Sequence, residues 1–253
     1  MYAFLPEVGA DPEANAKAVH EYIQSYKEPA KNLLRQLESD VERGTFSHVL
    51  GVDASGRIPA LIVGAYLRER YAQNDLAPPE QLFAAPIHEA DSSPQLERMY
   101  RAYQSNTERG RKVLLVDDTL FRGTSIRDAT RELRKRDIPY AVAVFLNVNN
   151  SEEDIERLKE FFQLDHLYLG GDTVCIDDAD ELHQPTPIKK WSEVSGVKRV
   201  EGYQLGHGRA QNRGIAQRDA VDQELINLSR LEIDHLVEEL LSESDGRHEN
   251  AYQ

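Results

Sequence analysis

Cysteine is almost absent from this 253-residue chain. Cys175 stands alone, which excludes an intrachain disulfide and a cysteine-rich zinc site. Long apolar runs are missing too: no window reaches the roughly 18 uninterrupted apolar residues of a membrane span. The stretch Met1 to Asp11 carries Glu7 and Asp11 and no basic segment, so no secretory signal is expected there. Positive charge is in deficit, 30 Lys and Arg against 44 Asp and Glu, a formal net charge of −14. That balance argues against bulk nucleic-acid binding. Together these absences predict a cytoplasmic protein without a membrane partner. With 40% hydrophobic and 29% charged residues, the chain has material for a sizeable core.

Along the chain, apolar spacing first predicts helices. Ala16, Val19, Tyr22 and Ile23 recur with helical period, and Leu33, Leu34, Leu37 and Val41 share a second face that stops at Gly44. From Phe46 short apolar runs alternate with helical stretches. Strands are expected at Phe46 to Val52, Gln81 to Ile87, Val113 to Val116, Tyr140 to Val148 and His166 to Leu169. Helices are expected at Ile58 to Leu67, Pro94 to Ser105, Ser125 to Arg136 and Glu152 to Phe162, the last capped by Ser151. This alternation predicts a parallel sheet covered by helices on both faces. A ligand then belongs beyond the carboxyl ends of the strands, at the loops after Val52 and Val116. Farther on, a broad apolar stripe of Val221, Leu225, Leu228, Leu231, Leu236 and Leu240 predicts a long amphipathic helix, with a frayed tail from Ser242.

The chemistry concentrates in Val113 to Ser125, VLLVDDTLFRGTS. An apolar strand delivers Asp117 and Asp118 to its end, and a short loop leads to Arg122, Gly123, Thr124 and Ser125 at a helix start. The helix amides and two hydroxyls suit a phosphate, where the helix dipole favours an anion. The carboxylates suit sugar hydroxyls or a magnesium ion. A sugar phosphate satisfies both ends of such a loop. The ordinary alternatives are an exposed acidic turn, a surface arginine, and N-capping by Thr124 or Ser125.

This segment resembles the signature of type I phosphoribosyltransferases: four apolar residues, two acids, and a Gly/Thr-rich turn for the 5-phosphate of phosphoribosyl pyrophosphate (PRPP). It is most similar to the transferase half of glutamine PRPP amidotransferases, whose loop reads DDS, two apolar residues, RGTT. Asp53-Ala54-Ser55-Gly56-Arg57, after the first strand, resembles the pyrophosphate loop of the same proteins, close to PDSGR. The two motifs together span Phe46 to about Val148. The resemblance implies a type I phosphoribosyltransferase-like fold, with PRPP or a nucleotide as ligand and Mg2+ as cofactor. It places ribose and metal on Asp117 and Asp118, the 5-phosphate on Arg122, Gly123, Thr124 and Ser125, and pyrophosphate on Asp53, Ala54, Ser55, Gly56 and Arg57.

Departures from the family narrow the reading. The chain opens Met1-Tyr2 instead of with a nucleophilic cysteine, and is too short for an added glutaminase domain. Purine-salvage members carry a carboxylate where Phe121 stands. Orotate-type members carry a basic mobile loop, for which Arg98, Arg101, Arg109, Arg111 and Lys112 offer no clear match. The expected organisation is an N-terminal helical segment over 1–45, a transferase-like core over 46–170, a hood over 171–218, and a C-terminal helix and tail over 219–253. The terminal helices could serve a homo-oligomer or protein partner. Within the hood, Lys189 to Arg218 holds seven Lys and Arg against Glu193 and Glu201, read either as a lid over an anionic substrate or as a solvated face. Aromatics there are limited to Trp191 and Tyr203, which argues against a polynucleotide groove. No catalytic base is assigned. The expected activity is transfer of ribose 5-phosphate from PRPP to a nitrogen acceptor with release of pyrophosphate. The alternative is a non-catalytic PRPP- or nucleotide-binding regulator of the same fold.

Overall fold

Strands flanked on both sides by partners cannot alternate polar and apolar residues, and β1 (Phe46–Val52) is buried at every position. The computed structural model describes residues 12–52, 56–84, 94–105, 110–120, 123–148, 150–164, 166–171 and 223–250. Helices α1 (Pro12–Gln24) and α2 (Lys27–Glu42) precede β1. There follow α3 (Arg57–Gln73), β2 (Glu80–Ala84), α4 (Pro94–Gln104), β3 (Lys112–Leu120), α5 (Thr124–Arg134), β4 (Tyr140–Asn147), α6 (Glu152–Phe162), β5 (Leu167–Leu169) and α7 (Gln223–Asn250). Among the described residues, five strands form one all-parallel sheet in the order β2-β1-β3-β4-β5.

The two faces of the sheet carry separate cores. One face, with Val49, Leu114, Val116, Ala143 and Phe145, packs against α1, α2, α3 and α7. The other, with Leu50, Leu115, Val142 and Val144, packs against α4, α5 and α6. Successive residues of one strand fall on opposite faces, as the two-residue period of a strand requires. The chain winds from β1 to β2 through α3 on one face, then returns past β1 to β3 through α4 on the other. The direction of winding therefore reverses between β1 and β3, and an open parallel sheet leaves a crevice at the carboxyl ends of such a pair.

The α/β expectation holds, with corrections at the element ends. β3 does not stop at Val116. Three further residues pair with β4, Asp117 opposite Val144, Thr119 opposite Leu146 and Leu120 opposite Asn147, beyond Val116, the last β3 residue paired with β1. α3 reaches Gln73 because Tyr71 is still buried, its hydroxyl accepting the Phe46 N–H at 2.9 Å. The tail is not frayed from Ser242: α7 continues to Asn250, with Glu243 on Lys31 and Lys27 and Asp245 on Arg70. Within its stripe, Leu225, Leu236 and Leu240 are buried beside Ile233 and Val237, whereas Leu231 is 50% exposed. Ser151 does cap α6, in a reciprocal box with Asp154. Val221, the hood from residue 172 and the possible lid lie outside the described residues.

Candidate functional site

The site builds on the staggered carboxyl ends of β1 and β3. β1 stops at Val52, level with the β3 residues just past Val116. The returning chain then presses onto both strands at Gly56: an added Cβ would lie 2.5 Å from the carbonyl oxygens of Val116 and Val52. Only a residue without a side chain fits there. The two segments singled out from sequence therefore meet in space. Arg57, the first residue of α3, extends its guanidinium over the Phe83 ring near the end of β2, 4.4 Å from the centroid. Burial and the nearby charge of Arg230 pull its pKa below the ordinary arginine value.

Asp117 and Asp118 follow within β3 rather than in a loop after it, 5% and 1% exposed. Asp117 Oδ1 accepts the Asp118 N–H at 2.9 Å, and Asp118 Oδ1 accepts the Thr119 hydroxyl at 3.1 Å. Strand alternation sends the two carboxylates to opposite faces. Asp118 lies on the face of α1 and α2, where its charge, after burial and Tyr22, helps raise the pKa of Tyr26. The exposed-turn alternative for the pair is thus excluded by burial.

Beyond Leu120 the chain is held by groups that sequence reasoning missed. The Leu120 carbonyl accepts the Val148 N–H at 2.9 Å and the Asn150 Nδ2 at 2.8 Å. Asn150 also bonds Asn147 Oδ1, and Asn147 donates to the Asn150 carbonyl, both at 2.9 Å. The asparagine-rich NVNN that ends β4 was the available signal. Gly123 is the N-cap of α5, left-handed at φ +63°. Its missing side chain makes room for Phe162, whose Cζ would lie 2.5 Å from an added Cβ. The close approach at this glycine is thus to the protein's own core. Thr124 and Ser125 are the first two helical residues, and the N-cap residue, Gly123, has no side chain to cap with. The N-capping alternative for them falls, and the first-turn amides of α5 stay directed beyond the end of β3.

Asp53, Ala54, Ser55, Phe121 and Arg122 lie outside the described residues, as do His88 and Cys175. Gly56, Arg57, Asp117, Asp118, Gly123, Thr124 and Ser125 all gather at the carboxyl ends of the sheet. Tyr66 and Tyr100 pack in the cores, as expected, with Arg136 over the Tyr100 ring at 4.2 Å. Arg111 sits at the opposite edge. It donates to the carbonyls of Gly44, Phe46 and Ala77 and so ties strand starts together. The same edge holds a polar cluster not anticipated from sequence. A register shift between Phe46 and His48 lets the Ser47 hydroxyl meet His48 Nδ1 at 2.9 Å and the Tyr103 hydroxyl at 2.5 Å. Burial pulls the His48 pKa down, against the opposing pull of Glu80.

For a metal, the donor set is thin. Among the described residues no three His, Cys, Asp or Glu side chains converge, and the paired aspartates diverge. Among the described residues, the pair offers a single ion one direct carboxylate. That fits a magnesium ion completed by substrate phosphates and water, and does not fit an all-protein cage. No helix among the described residues is long and apolar enough to cross a membrane. Comparison with protein-family models, with curated proteins and with solved structures finds no match for this chain.

Proposed function

We propose that the protein is a PRPP-dependent phosphoribosyltransferase of type I fold that transfers ribose 5-phosphate to a nitrogen acceptor. The observation that carries this reading is that Gly56 and Arg57, the buried Asp117 and Asp118, and the Gly123 to Ser125 helix start all follow the carboxyl ends of β1 and β3, the strands of the switch point. These are an anion contact, buried sugar-hydroxyl acceptors and an uncapped helix N-terminus, in the order PRPP presents its groups. The 5-phosphate would bind Arg122 to Ser125, the ribose hydroxyls a carboxylate of the Asp117-Asp118 pair, and the pyrophosphate Asp53 to Arg57. Magnesium, when bound, would neutralise charge on the phosphates beside one of the aspartates.

In the reaction, the acceptor nitrogen's lone pair forms the bond to the anomeric carbon. The bond from that carbon to the pyrophosphate oxygen breaks, its electron pair leaving with pyrophosphate. The acceptor's proton passes to solvent, no side chain being assigned as base. The protein's part is to align the two ends of the sugar and to balance the leaving charge with Arg57. In calorimetry, Asp117→Asn with Asp118→Asn should remove PRPP binding while the circular dichroism spectrum stays that of the parent. Undiminished binding overturns the proposal.

The second reading is a PRPP- or nucleotide-binding regulator. It draws on the charges of Asp118, felt at Tyr26, and of Arg230, felt at Arg57, which couple the terminal helices electrostatically to the site. Pyrophosphate release measured with a panel of bases, amines and ammonia separates the two. Release with any acceptor selects the enzyme, and binding without release selects the regulator.

A further inference from the structure

Arg57 Nε and Arg230 Nη1 are both buried donors without a hydrogen-bond acceptor among the described residues. Buried guanidinium donors are normally matched by carboxylates or carbonyls, because the lost hydration is otherwise not replaced. Here two of them approach from different elements.

The meeting follows from helix register. α3 and α7 run side by side in the same direction, pinned at one end by Arg70 Nη1 on Asp245 Oδ1 at 2.7 Å. Stepping back along each helix from that pair, at about 1.5 Å per residue, reaches Arg57 on α3 and Arg230 on α7 at about the same level. Arg230 shares its helix face with the buried Ile233 and Val237, so its stem is directed inward. Consistent with this, the charge of Arg230 adds to burial in lowering the Arg57 pKa. Asp234, exposed and one turn on from Arg230, offsets part of the cost at that end.

We propose that Arg230 is a second anion contact of the site, so that a diphosphate group is held between the guanidinium groups of Arg57 and Arg230. The inference rests on reading Ser55 to Arg57 as the pyrophosphate loop, and adds to it a contact from α7 that no motif contains. Two forked cations call for an anion with more than one charge and several acceptor oxygens. The Phe83 ring under Arg57 fixes the orientation of one fork in advance. Ligand binding would then tighten the docking of α7.

The test is titration of the full chain with inorganic pyrophosphate, with orthophosphate as a parallel arm, by calorimetry and by thermal melting. Pyrophosphate should bind more tightly than orthophosphate and raise the melting temperature. Arg230→Gln should weaken it at least tenfold and abolish the melting shift, without lowering the melting temperature of the unliganded protein. Arg230→Lys keeps the charge but loses the fork, so it serves if the glutamine variant does not fold. At least a threefold loss in the lysine variant supports the inference, and no loss overturns it. Equal affinity for the two anions, or for parent and Arg230→Gln, also overturns it. PRPP titration of the Asp117→Asn, Asp118→Asn protein separates the two proposals. Retained PRPP binding there, with pyrophosphate still dependent on Arg230, sinks the function and leaves this inference standing.

Discussion

Gly56 and Val116 touch through their backbones, and so do Gly56 and Val52, since a Cβ at residue 56 would lie 2.5 Å from either carbonyl oxygen. The φ of Gly56 is −74°, which alanine adopts without strain. Any loss on Gly56→Ala is therefore steric. Because the obstructing atoms are backbone, the strand ends must part, at about 1–3 kcal/mol for overpacking of this kind. A lower urea midpoint with unchanged slope is expected, and an unaltered midpoint would show that the strand ends are not packed this way.

Gly123 is constrained twice, by its left-handed backbone and by Phe162. Gly123→Ala should cost about 1–2 kcal/mol for the backbone conformation alone, with the clash in addition. Phe162→Leu relieves the clash but not the backbone strain, at a separate cost in core packing that the cycle cancels. The double-mutant cycle should therefore show favourable coupling of at least about 0.5 kcal/mol. Strict additivity would mean that the ring does not occupy that space.

Asp40 titrates in a nest of donors. Burial raises its pKa, but the hydroxyls of Tyr168 (2.6 Å) and Thr45 (3.1 Å) and Arg43 Nη2 (2.9 Å) outweigh that and hold it below the ordinary carboxylate range. The folded state thus binds this proton less tightly than the unfolded state does. The stabilisation is present in full above the unfolded pKa of about 3.9 and is lost as pH falls through the lower, folded value. Tyr168→Phe should cost about 1.5 kcal/mol at pH 7, the low end for a bond to a charged acceptor. The gap between the two proteins in denaturant melts should narrow below pH 4. A gap that stays constant down to pH 3 would remove Asp40 from the account.

α7 offers a contrast between two leucines of one sequence stripe. Leu236 is fully buried and Leu231 half exposed. Leu236→Ala should cost about 2–5 kcal/mol, and Leu231→Ala should stay within about 0.5 kcal/mol of the parent. Similar melting temperatures for the two variants would show that α7 is rotated from the position described.

What could be read from sequence divides along physical lines. The bounds of β1 and α6 are legible because their signals are local: FSHVLGV is mostly apolar and runs into a polar loop, and Ser151 with Asp154 writes its own helix start. β3 was cut short because Asp117 to Leu120 looks polar, and what keeps it a strand is pairing with β4, a non-local term. Leu231 was assigned to the buried stripe because an ideal stripe is wider than the groove α7 fills. Of the candidate site, the meeting of the two loops was legible through the switch-point rule. Arg230 was not, since its place depends on the register of two helices far apart in sequence. Ser47 and His48 were hidden by the register shift that brings them together.

The late position of α7 in the chain has a consequence for biogenesis. In a nascent polypeptide emerging from the ribosome all five described strands are made by Leu169, whereas α7, which packs on α1 and α3, is made only from Gln223 onward. Closing so long a gap adds little to the equilibrium cost, because loop entropy grows slowly with length. It does lengthen the interval before the apolar residues of α1 and α3 gain their α7 partners, and chaperones can act in that interval.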